Sequence, residues 1–273
     1  MAVLSPDRAL FDLYSSARAE LYDSLFSELE TFVRATFDGN AARFALAVEE
    51  YLPIIVAEYG DIAGSIALDY FEVSRDLYGI TSRHRPILVP AAAGDLGASV
   101  GWSTSDVREA LKAGLDPDAV PEDVPDAPTP LQATIEKLQG VAHKQVKEAD
   151  AATFVANVEA DREKPVYARV PNAGACGFCR FLASSGFRYY AGVPESIHAK
   201  CFCEFVASWD KTNPKLEGFN PESLQEEYRR ALAKADKAAV SEFYDHKSPT
   251  PRSARNKKFL NALMAGYYEI DNE

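Results

Sequence analysis

The chain has 273 residues, 47% of them apolar, enough for one large domain or two ordinary ones with a real core. It carries 29 basic and 41 acidic side chains, a net charge of −12, and a field of that sign repels phosphate, which disfavours general nucleic-acid binding. No run approaches the ~18 uninterrupted apolar residues of a membrane span, and Met1-Ala2-Val3-Leu4-Ser5-Pro6-Asp7 lacks the basic-then-apolar order of a secretory signal. The expectation is a soluble protein made in a reducing cytosol, without a membrane partner.

The first 79 residues read as helix. Ser5-Pro6 offers an N-cap followed by proline at the first helical position, where the missing N–H costs nothing. Leu10, Tyr14, Ala17, Leu21, Leu25, Leu29 and Phe32 then recur at three- and four-residue spacing on one face. Asp38-Gly39-Asn40 interrupts the pattern. A second helix carries Phe44, Val48 and Leu52 and is expected to kink or split at Pro53. Gly60-Asp61 is read as the start of a third helix, with Ile62, Ile66, Tyr70, Val73 and Leu77 along its apolar side and Gly79 at its end.

Residues 86–101, rich in Ala, Gly and Pro, are less regular, and Trp102 is expected to pack a helix from about Ser103 to Lys112. Residues 116–128 alternate proline with acids and cannot hold a regular hydrogen-bond ladder, which makes them a linker or extended strap. Thr129-Pro130-Leu131-Gln132 restarts the helix with a capping box, and the helical pattern continues to about Arg162. Pro165 to Pro171 alternates like a short strand. Asn220-Pro221 caps another helix through Tyr228, Leu232 and Val240. Lys247, Arg252, Arg255, Lys257 and Lys258 form a basic segment on an otherwise acidic protein. The fold class is mainly α, with a helical N-terminal bundle segment and a small α+β zinc-knuckle module. Four regions result: a helical part (1–115), the linker (116–128), a helix, strand and metal module (129–210), and a C-terminal helix with a basic tail (211–273).

All four cysteines fall within 28 residues, as Cys176-Gly-Phe-Cys179 and then Cys201-Phe-Cys203, with His198 three positions ahead of Cys201. A C-x2-C pair spaces two sulfurs for one tetrahedral ion if the turn between them is tight, and Gly177 is read as supplying that turn. The H-x2-C-x-C cluster brings the remaining donors from a returning segment. Thiolate with imidazole is the preferred donor set of structural zinc. Cys176, Cys179, His198, Cys201 and Cys203 are therefore five candidate ligands for the four positions of one structural Zn2+ per chain. Buried unpaired cysteines, two disulfides and a redox dithiol compete with this reading. Clustering of every cysteine, a reducing compartment and the unexplained second cluster weigh against each in turn. A catalytic zinc would keep an open position and three protein ligands, and no H-E-x-x-H, Gly-rich phosphate loop or G-x-S-x-G occurs. No catalytic residues and no enzyme activity are expected.

Arg169-Val170-Pro171-Asn172-Ala173-Gly174-Ala175-Cys176-Gly177-Phe178-Cys179, then Leu182-Ala183-Ser184-Ser185-Gly186, then Ile197-His198-Ala199-Lys200-Cys201-Phe202-Cys203 resembles the Mu-F-like minor head proteins of tailed bacteriophages. It is most like the versions from phages of actinobacteria. Lys200 departs from the histidine or asparagine often found there, and the likeness is diffuse outside about 165–206. The resemblance implies a minor capsid or head-morphogenesis protein inside the head near the portal, connected with DNA packaging or ejection. Its implied partners are the portal protein and major capsid or scaffold proteins. Packaged DNA is a further candidate, through Lys247, Arg252, Arg255, Lys257 and Lys258. The competing reading is a zinc-stabilised nucleic-acid-binding regulator.

Overall fold

The computed structural model describes residues 6–92, 96–120, 124, 126–191, 202–245, 250 and 252–271. They divide into two compact units, one of residues 9–162 and 191, the other of residues 6–8, 163–190 and 202–271.

The first unit is helical: α1 (Pro6–Thr36), α2 (Ala41–Leu77), α3 (Gly97–Ser103), α4 (Ser105–Lys112) and α5 (Pro130–Ala160). Of the expected apolar stripe of α1, Tyr14, Leu21, Leu25 and Leu29 are buried and Leu10, Ala17 and Phe32 half-buried, with Val33 buried beside them. Phe37 to Asn40 breaks the chain, and the Asn40 side chain accepts from the N–H groups of Ala42 and Arg43 to cap α2. α2 is one helix where two were expected. Its face of Leu52, Ile55, Val56, Tyr59 and Ala63 is buried without interruption, and that burial outweighs the ~3 kcal/mol a proline costs inside a helix. Gly60 does not start a new helix either. A Cβ there would collide with Ala91, and one at Gly64 would come within 2.8 Å of Leu88. Both glycines exist to let the 86–92 strand-like strap cross α2 closely.

That strap is held by α5. Asn157 donates to Ile87 O at 2.7 Å and accepts from Ile87 N–H at 3.0 Å. Thr153 accepts from Val89 N–H at 3.0 Å. These side chains pair half-buried backbone groups of the strap that no ladder serves. α2 ends at Gly79 (φ +68°), where Ile80 N–H reaches Arg75 O and Gly79 N–H reaches Asp76 O, the two bonds of a Schellman turn. By length and composition α2 is apolar enough to cross a membrane. Here it is a core helix of the unit, with Arg75 buried against Asp161 at 2.9 Å. Trp102, expected to pack a helix, is 56% exposed, and Val100 and Ser103 are the buried residues of α3. Thr129 caps α5 as its sequence requires, accepting from Gln132 N–H at 3.1 Å.

A charged cluster lies inside the helical core. Tyr14 donates to Asp150 at 2.8 Å, Lys147 bonds the same carboxylate at 2.8 Å, and Arg18 sits 3.3 Å away. Burial pushes the Asp150 carboxyl up, but Arg18, Lys147 and the bonds from Lys147 and Tyr14 outweigh it and hold it below the usual carboxylate range.

The second unit contains β1 (Val166–Val170), α6 (Gly177–Ala183), β2 (Glu204–Ser208), α7 (Pro221–Lys234), α8 (Lys237–Tyr244) and α9 (Arg252–Asp271). β1 forms where alternation between prolines predicts it, and it pairs antiparallel with β2, a strand the pattern does not announce. The helix expected to run from Asn220 through Val240 breaks at Ala235, and the Asp236 side chain caps α8 by accepting from Ala238 and Ala239 N–H. The basic tail contains a packed helix. Phe259, Leu263 and Tyr267 of α9 are buried with Ala231 of α7. A Cβ at Gly266 would overlap the Ala231 carbonyl, so α7 and α9 meet at backbone distance.

Candidate metal centre

Antiparallel pairing is what assembles the cysteines. Val170 at the end of β1 lies opposite Glu204 at the start of β2. The chain leaving β1 runs through residues 171–175 to Cys176, and Cys203 directly precedes β2. One end of the two-stranded sheet therefore receives the C-x2-C segment from one strand and Cys203 from the other. Cys179 and Cys203 are each 1% exposed and pack together, with Ala175 against them. Cys176, one helical turn before Cys179, is the N-cap residue of α6 and is exposed. None of the three is joined in a disulfide. His198 and Cys201 lie outside the described residues, as does Lys247. Among the described residues no group of three or more metal-binding side chains is found, so the closed zinc-knuckle reading of the module remains an expectation carried by the cysteine pair and the motif.

α6 is held in place from three sides. A Cβ on Gly177 would come within 2.7 Å of the Tyr267 side chain, so α6 starts flush against α9. Gly177 was read as the residue that tightens the C-x2-C turn. It is instead the first residue of a helix, and its missing side chain serves packing rather than conformational freedom. Arg180, directly after Cys179, stacks over Tyr267 at 5.0 Å and pairs with Asp271 at 2.6 Å and Glu227 at 3.5 Å. Gly186 (φ +62°) turns the chain after α6, and Tyr189 bridges back to Tyr167 of β1.

The residue that sequence reasoning passed over is Arg169. It is 1% exposed, its guanidinium lies 5.2 Å from the centroid of the Phe205 ring, and its Nη1 is 4.0 Å from Cys179 Sγ. The available signal was a charge at a position sharing a strand face with Tyr167, which is fully buried. The Arg169 guanidinium N–H donors are placed against the sulfur where almost no water reaches. Cys179 and Cys203 together, Cys176 at the start of α6 and the Arg169 guanidinium against Cys179 are the residue types a thiolate-bound metal would use.

The basic segment is largely engaged within its own unit. Lys258 pairs with Glu242 at 2.7 Å, and Arg255 donates to the carbonyls of Glu242 and Asp245 at the end of α8. Lys258 and Thr250 hydrogen bonds hold the Glu242 carboxyl below its usual range. Arg252 and Lys257 stay exposed.

Comparison with known proteins gives one finding. A family model described as VG15 protein matches residues 5–231, across the helical unit and the cysteine segment alike. No curated protein and no solved structure matches the chain.

Proposed function

The chain belongs to the VG15 protein family, a phage-associated viral family, and from that premise we propose that it is a minor capsid protein of a tailed bacteriophage. In this reading it resides inside the head near the portal and aids head assembly and DNA packaging or ejection. The observation that carries the proposal is the extent of the family match, 5–231, which takes in the helical unit, the C-x2-C segment and Cys203. The Mu-F-like motif at 169–203 supplies the finer assignment, including kinship with phages of actinobacteria.

The cysteine module serves as a structural clip. Cys176, Cys179 and Cys203, with Cys201 and His198 as the other candidates, hold one Zn2+ that joins the end of the small sheet to α6. Zinc supplies no reaction there; it fixes a loop-rich segment whose own core is thin. Portal, major capsid and scaffold proteins are the partners. Packaged DNA is met through the basic residues Lys247, Arg252, Arg255, Lys257 and Lys258. A free-standing DNA-binding regulator is disfavoured by charge: residues 9–162 hold 12 basic and 26 acidic side chains, 12 − 26 = −14.

Purified virions of the source phage, analysed by quantitative mass spectrometry, test the proposal together with portal pull-down from an infected lysate. The chain is expected in particles at a few copies per portal. Its absence from particles would contradict the proposal, and a DNA shift at 150 mM salt with a steep salt dependence would favour the regulator instead.

A further inference from the structure

The geometry points to Arg169 as the outer-sphere partner of the cysteine centre, and we infer that its guanidinium donates to the Cys179 thiolate when metal is bound. This rests on the zinc reading above and deepens it. Three observations carry it. Arg169 and Cys179 are both 1% exposed, so the charge has no share of bulk water. Nη1 already lies 4.0 Å from Sγ, within hydrogen-bonding range for sulfur. The side chain is also fixed from behind: Arg169 sits opposite Phe205 in the ladder, with its guanidinium over that ring.

The physical need is clear from the donor set. A divalent zinc surrounded mainly by thiolates keeps surplus negative charge, and at Cys179 and Cys203 that charge is out of water. An unbalanced buried charge is costly, whereas one met by a rigid fork of N–H donors is stabilised. A donor to a coordinating sulfur also fixes its orientation, as second-layer partners of metal ligands do. The strand positions the arginine from one side while β2 delivers Cys203 from the other, so the same antiparallel register that gathers the sulfurs also places their counter-charge.

The test uses the full chain, purified under reducing conditions, as wild type, Arg169→Gln and Arg169→Lys, with helix content checked by circular dichroism. Zinc affinity is read by competition with a chromophoric chelator, and the sulfur-to-cobalt charge-transfer band is recorded after cobalt substitution. Arg169→Gln is expected to weaken zinc binding ~10–100-fold and to shift the band. Arg169→Lys, which keeps the charge but not the planar fork, is expected to lose less affinity and still shift the band. Removal of mere packing would not move that band. Unchanged affinity and an unmoved band in Arg169→Gln would overturn the inference while leaving the zinc reading intact. Should that variant not fold, the same unchanged pair of readouts in Arg169→Lys decides against it. A wild type that loads neither metal overturns the zinc reading and the inference together.

Discussion

The two units of this chain solve the same problem by different physics. Residues 9–162 bury long amphipathic faces from α1, α2 and α5, helices of 31, 37 and 31 residues, and carry a net charge of −14 at their surface and within. Their interior is large enough to enclose Arg18, Lys147 and Asp150 as a bonded cluster. Residues 163–273 hold 16 basic and 14 acidic side chains, 16 − 14 = +2, and use two five-residue strands and helices of 7 to 20 residues. Short elements bury little apolar area each, so such a unit depends on close backbone approach and on side-chain forks such as Arg180, and gains most from a cross-link. The difference teaches where the proposed metal clip would act: in the part of the molecule whose core is too thin to hold a loop by burial alone.

That contrast can be broken at either end. The largest effect is expected from metal removal. Stripping zinc with a strong chelator should cost the cysteine module most of the ~10–16 kcal/mol typical of structural zinc. Limited proteolysis should then cut within 171–210 while fragments covering 9–162 persist. Equal loss of both regions would show that the units do not differ in this way.

In the helical unit, Asp150→Asn leaves Arg18 and Lys147 buried without their carboxylate and should destabilise by about 3–5 kcal/mol, seen as a lower thermal midpoint with zinc retained. The pH dependence follows from the same group. Its folded pKa is depressed, so its contribution is fully present above the ordinary carboxylate range and is lost as pH falls through the folded value. Thermal midpoints of the helical unit should therefore hold near neutrality and fall on acidification below about pH 4, and the Asp150→Asn variant should lose that part of the slope. A somewhat smaller effect is expected at Gly177→Ala, which presses a methyl onto Tyr267 and should cost about 1–3 kcal/mol in the C-terminal unit, with weaker zinc retention. At the small end, Thr129→Ala removes one cap from α5 and should cost about 1 kcal/mol in the helical unit alone.

Much of this architecture was legible beforehand, and the reasons are local. α1, its break at Asp38-Gly39-Asn40, the Thr129 cap and β1 all announce themselves through periodicity or capping chemistry within a few residues. What was misread required partners distant in sequence. Gly60 looks like a helix start until the 86–92 strap is seen crossing it, and Pro53 is tolerated because the buried face of α2 runs on either side. Gly177 looks like a turn residue until Tyr267, 90 positions later, is seen against it. α9 hides behind its lysines and arginines, since charges at 252–258 mask the Phe259, Leu263 and Tyr267 spacing. At the site, the sequence marks the donors by residue type, but Arg169 becomes visible only when strand pairing places its guanidinium beside Cys179.

The most direct test of the account is elemental analysis of the full chain purified under reducing conditions, paired with the same measurement on Cys179→Ser. The account predicts about one zinc per wild-type chain and a substoichiometric or metal-free variant. A wild type free of zinc, or a Cys179→Ser variant that keeps it in full, would contradict the claim that these cysteines form the clip.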